Sequence, residues 1–145
     1  MTIISNYHDL CRQVLDLDKS IRFTSVATLE GKILATLYRE GVQSLLSLQE
    51  SELSIMQSLI RMNILQALEQ KLGKTIYMIE ACEKIKRATI AIFNEKEEEN
   101  GGEKYYDSYL IISFEKEAAN VESIINDKIL PLLSRSKIGK GLNKV

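Results

Sequence analysis

The chain has 145 residues, 45% of them hydrophobic and 27% charged, and a formal net charge of -1. That length fits one domain able to bury a substantial core, and the balanced composition argues against disorder across the whole chain. The near-zero charge argues against a protein that coats nucleic acid or acidic membranes.

From the N-terminus, Met1-Thr2-Ile3-Ile4-Ser5-Asn6 lacks a basic region followed by a long apolar stretch, so no signal peptide is expected. No apolar run approaches the ~20 residues of a membrane helix, and a cytoplasmic location is the expectation. Asn6 is placed to cap a first helix over 7–18, with Tyr7, Leu10, Cys11, Val14 and Leu15 forming one apolar stripe. Two β-branched runs, 22–28 and 32–38, follow. Glu30-Gly31 between them offers the positive φ of a tight hairpin turn.

Ser47-Leu48-Gln49-Glu50 reads as a capping box opening a long helix to about Leu72, where Gly73 can end it in a left-handed conformation. Three more strands are expected over 75–82, 85–93 and 105–114. The acidic, glycine-ended run 94–102 has the composition of a mobile hairpin tip. A last helix runs from about Glu117 towards Ser134 and contains the only proline, Pro131, which can kink or end it.

The order α-β-β-α-β-β-β-α, with short turns between strands, predicts an α+β domain: a five-stranded antiparallel sheet flanked by helices. Ala88, Ile90 and Ile92 fall on one face, and Ile85, Ala91 and Phe93 on the other. A sheet covered on both sides accounts for this, with the middle helix on one face and the terminal helices on the other. The domain is expected to span 1–136, with a flexible basic tail over 137–145.

The middle helix has an unusual pattern. At about 100° per residue, Ile55, Met56, Leu59, Ile60 and Met62 share one arc. After Asn63 the pattern reverses, and Ile64, Leu65, Leu68 and Leu72 occupy the side that was polar. A surface helix needs one apolar stripe. The second either meets another chain or is covered by the loop 42–48, with its Leu45, Leu46 and Leu48.

Taken together, the segments Asp9-Leu10-Cys11, Leu15-Asp16-Leu17-Asp18, Ile21-Arg22-Phe23, Arg39-Glu40-Gly41, Leu72-Gly73-Lys74 and Glu83 to Thr89 resemble a small family of uncharacterised proteins of ammonia-oxidising archaea. That resemblance carries no known chemistry. The element order resembles the roadblock/dynein light chain domain within the profilin-like group. Roadblock domains dimerise through the middle helix and the neighbouring strand, and they scaffold or regulate small GTPases. The resemblance therefore implies a homodimer whose interface includes Arg61, Ile64, Leu65, Leu68, Leu72, Thr75 and Tyr77, with an unknown protein partner. A small GTPase is the partner suggested by fold analogy alone.

The chain offers little for catalysis. His8 is the only histidine, and no nucleophile motif surrounds it or Cys11. Cys11 and Cys82 form no metal or redox motif and read as reduced, buried thiols. Gly101-Gly102 precedes a strand, whereas a phosphate cradle wants glycines followed by a helix N-terminus. No catalytic residue, metal site or cofactor is expected. Lys84, Lys86 and Arg87, with Lys74 and Arg61, form a candidate anion cluster, but Lys86 and Arg87 should point to opposite faces. The expectation is a non-enzymatic dimerisation and protein-interaction module, regulatory or scaffolding. The alternatives are a small-molecule sensor with a pocket between sheet and helix and an unrecognised enzyme.

Overall fold

The computed structural model describes residues 6–95 and 104–135. The chain opens with α1 (Tyr7–Leu15), capped by Asn6, whose side chain accepts from the Asp9 N–H at 2.8 Å. The helix stops at Leu15, three residues before the expected end. The guanidinium of Arg39 takes the last carbonyl of the helix, Leu15 O, at 2.5 Å, and holds the following turn by donating to Asp18 O and Ile21 O at 2.9 and 2.7 Å. Asp18 then turns the chain by accepting from both the backbone and the hydroxyl of Ser20. Those bonds, the backbone one first, hold its carboxyl below the usual carboxylate range.

Strands β1 (Ile21–Thr28) and β2 (Ile33–Tyr38) form the expected hairpin. Gly31 sits at its turn with φ +96, a conformation that L side chains resist. The helix α2 (Leu48–Gln66) begins with the capping box of Ser47 and Glu50, both halves of which are formed. It ends at Gln66, six residues early. A short α3 (Glu69–Leu72) follows, and Gly73 ends it at φ +81, ψ 177. That is the mirror-extended region open to glycine, where a left-handed cap was expected.

Strands β3 (Tyr77–Ala81), β4 (Ile85–Glu95) and β5 (Lys104–Glu115) complete one five-stranded, fully antiparallel sheet in the order β2-β1-β5-β4-β3. The expected hairpin tip lies largely outside the described residues, as does the basic tail. The last helix starts four residues later than expected, at Val121, because Asn120 supplies its cap by accepting from the Ser123 N–H. It comprises α4 (Val121–Ile124), a π turn (Ile125–Ile129) and α5 (Leu130–Arg135). Pro131 neither ends nor breaks it. The missing N–H is preceded by a widened turn in which Leu130 N–H bonds to Ile125 O.

The sheet is covered on both faces, as its double-sided apolar pattern requires. On the first face α1 and the C-terminal helix enclose Ala88, Ile90, Ile92, Leu110, Ile112 and Phe114. On the second, Ile55, Leu59 and Met62 of α2 pack on Ala27, Ala91, Tyr109 and Ile111. Cys11 is buried and Cys82 exposed, so only one thiol matches the expectation of two buried ones: Cys82 falls at the β3–β4 turn, where no described element covers it.

Candidate interaction surface

The buried residues of α2 are Ile55, Ser58, Leu59, Met62 and Gln66. At about 100° per residue they occupy one arc. The opposite arc carries Leu53, Met56, Ile60, Ile64 and, beyond the helix end, Leu68. All five are exposed, with Ile60 at 54%, Ile64 at 62% and Leu68 at 49%. The helix therefore has two apolar stripes on opposite sides, each running along its length. The expected switch of a single stripe at Asn63 is corrected: Met56 and Ile60 belong with Ile64. Gln66, a polar residue, is buried.

Ser58 can lie against the sheet because its hydroxyl donates to Ser54 O within the helix, at 3.1 Å. Gln66 is satisfied by the backbone of Thr75 at both ends of its amide. Tyr109, buried on β5, donates its hydroxyl to Asn63 Oδ1 at 3.1 Å, and burial raises its phenol well above the ordinary range. These polar ties fix the rotation of α2 about its axis, which points Ile60 and Ile64 outward.

The loop 42–48 does not lie over that outer stripe. It crosses the other end of the helix, where Arg22 holds Gln43 O at 3.1 Å, and Leu45 and Leu46 border the first turns near Ser51 and Ile55. Leu45, Leu46 and Leu48 are themselves exposed.

Next to α2 on the second face runs β3, an outer strand of the sheet that pairs only with β4 among the described strands. A strand edge leaves a row of backbone donors and acceptors free to pair with another chain. Ile76 and Ile79, absent from the expected interface, are exposed there. Of the residues named from sequence, Ile64, Leu68 and Leu72 are exposed, Leu65 is half-buried, and Thr75 is held by Gln66. Tyr77 directs its side chain to the first face, where its hydroxyl accepts from Asn126, because its neighbours Met78 and Glu80 take the α2 side.

Arg61 donates to Glu80 at 2.6 Å and Arg87 donates to the other Glu80 oxygen at 3.0 Å, joining α2, β3 and β4. Lys86 turns to the opposite face and donates to Ala118 O, as alternation requires, and Lys74 pairs with Glu69. The basic cluster is thus divided between faces and partners. Cys11 is deep in the first core, and burial pushes its thiol up to about 11, only partly offset by Thr24. A thiol held protonated in this way is a packing residue. His8 is exposed on α1, and no group of three or more metal-ligating side chains occurs among the described residues. No described helix is long and apolar enough to cross a membrane.

No protein-family model matches the chain, and no curated protein matches it. Solved structures do. The gliding protein MglB from Thermus thermophilus superimposes with a TM-score of 0.63 at 13% identity, over 89% of this chain and 83% of that one. A second MglB structure, described as having a tetrameric arrangement, gives 0.62 at 13% identity, over 88% and 84%. A Roadblock/LC7 domain from Streptomyces avermitilis gives 0.61 at 8% identity, over 90% and 93%. At these identities the likeness is one of fold, and the fold is roadblock-like.

Proposed function

We propose that this chain is a non-enzymatic dimerisation and protein-interaction module, regulatory or scaffolding, that pairs with a second copy of itself through the outer stripe of α2 and the free edge of β3. The observation that carries the reading is the two-sided helix. Ile60, Ile64 and Leu68 form an apolar row that no described part of the chain covers, and such rows mark interfaces. The interface named from sequence, comprising Arg61, Ile64, Leu65, Leu68, Leu72 and Thr75, gains Met56, Ile60 and Ile76, while Tyr77 contributes through its backbone at the strand edge. One solved relative in fold, an MglB, is itself described as tetrameric, which supports self-association as a habit of the architecture. Beyond the dimer we place a protein partner, with a small GTPase as the candidate that fold analogy offers, in the cytoplasm.

Sedimentation of the purified chain at high micromolar concentration tests the reading. The expected result is a dimer that Ile64→Asp or Leu68→Asp converts to a folded monomer. A wild-type chain that sediments as a monomer overturns it.

A further inference from the structure

The second face of the sheet has a concavity that the dimerisation reading does not use. It lies between the first turns of α2, the loop 42–46 and the ends of β1, β4 and β5, with a volume of about 70 Å3. At roughly 10–15 Å3 per water-sized position, that space holds about six such positions, and a six-carbon acid, whose bonded atoms lie closer together than waters do, fits within them. Its walls are apolar: Phe23, Tyr38, Val42, Ile55, Ile85 and Ile111. The rings of Phe23 and Tyr38 touch, with centroids 4.7 Å apart and planes tilted by 46°. Ser51 of α2 and Ser113 of β5 line the same space.

Arg22 and Arg87 are the charged residues among its lining. Arg22 is committed: it bonds Glu115 at 3.1 Å and Gln43 O at 3.1 Å, and so fixes the loop that closes the groove. Arg87 is not fully committed. Its terminal nitrogens go to Ser54 and Glu80, but its Nε is buried with no hydrogen-bond partner among the described residues. A buried guanidinium N–H left unsatisfied is costly, and it normally finds an oxygen acceptor. The charge count agrees. Arg22 and Glu115 cancel, while Arg61 and Arg87 share the single carboxylate of Glu80 and leave one positive charge.

We propose that this groove binds a small monocarboxylate with an apolar tail, its carboxylate against Arg87 and the serine hydroxyls, its tail between Phe23, Ile55 and Ile111. Apolar walls with a few convergent polar groups are the usual make-up of a ligand site. A guanidinium is the side chain best matched to a carboxylate. The proposal is independent of self-association through the other side of α2.

Calorimetric titration of the full chain with hexanoate tests it, with hexan-1-ol and inorganic phosphate as comparators. Hexanoate should saturate at one per chain with a dissociation constant on the order of 1 mM or lower. Hexan-1-ol, with the same tail and no charge, should bind at least about tenfold more weakly, the loss of one charge-assisted contact, and phosphate should not displace hexanoate. Arg87→Gln should weaken hexanoate by at least about tenfold on the same ground. Ser44→Trp, on the exposed loop at the mouth, should block it. No saturation by hexanoate, equal binding of the alcohol, displacement by phosphate, or unchanged binding in Ser44→Trp would each overturn the proposal. If Arg87→Gln does not fold, the alcohol comparison and Ser44→Trp decide.

Discussion

The amide of Gln66 and the backbone of Thr75 are paired as two strand residues would be: Nε2 donates to Thr75 O at 3.0 Å, and the Thr75 N–H donates to Oε1 at 3.0 Å. One side chain thereby closes the reversal from α2 into β3. Because Gln66 is buried, its loss strands both the helix end and the turn. Gln66→Leu keeps the volume and removes both bonds, so it should cost about 2 kcal/mol. The thermal midpoint should fall by about 6 °C, read by calorimetry. An unchanged midpoint would mean that water replaces both bonds at Thr75.

Leu59 and Ile60 are consecutive and equally apolar, yet Leu59 is 1% exposed and Ile60 54%. Aspartate at the two positions should act in opposite ways. Leu59→Asp places a carboxylate against Ala91 and Tyr109 and should unfold the domain, at a cost of several kcal/mol. Ile60→Asp should leave monomer stability within about 1 kcal/mol of wild type. Urea titrations at concentrations low enough to keep the chain monomeric give both numbers. If Ile60→Asp proves as damaging as Leu59→Asp, the outer stripe is part of the monomer's core.

Arg39 serves three carbonyls at once, those of Leu15, Asp18 and Ile21. Arg39→Met should therefore cost about 2–3 kcal/mol, more than loss of an ordinary surface ion pair. Arg39→Lys should recover less than half of it, because a point donor cannot span the fork. Denaturant midpoints of the three proteins check the order wild type, lysine, methionine.

The Cys11 thiol titrates at about 11 in the folded chain against 9.0 when solvated, because burial disfavours the thiolate. The unfolded chain loses its proton first as pH rises. The corresponding stability is thus fully present below about pH 9 and is lost as pH climbs towards 11, on the order of 2 kcal/mol in total. Comparing urea midpoints at pH 8 and pH 11 for wild type and Cys11→Val isolates this share, since the raised Tyr109 phenol acts in the same direction in both proteins. A thiol reagent at pH 8 should label Cys82 promptly and Cys11 only on unfolding. Prompt labelling of both would show that the first core opens readily.

Much of the fold was legible because local chemistry sets it. The Ser47–Glu50 box, Asn6, Gly31 and the two-faced alternation of β4 each act within a few residues, and each stands where the sequence puts it. The misjudged ends have distant causes. Arg39 holds the last carbonyl of α1 from 24 residues away in sequence, and Gln66, the last residue of α2, is tied to Thr75 beyond the turn. The groove beneath the loop 42–46 was not legible either, since it depends on Arg22 reaching both Glu115 and Gln43.

The sequence by itself determined the element order, the antiparallel sheet and the presence of more apolar surface on α2 than one sheet face can use. Which arc of that helix turns inward was decided only by the tertiary structure. Hydrophobicity has a magnitude but no partner, and two opposed apolar arcs cancel in any measure of amphipathicity. The choice rests on shape and polar pairing. Small Ala27 and Ala91 receive Leu59 and Met62, and Tyr109 and Thr75 hold Asn63 and Gln66, leaving Ile60, Ile64 and Leu68 facing out.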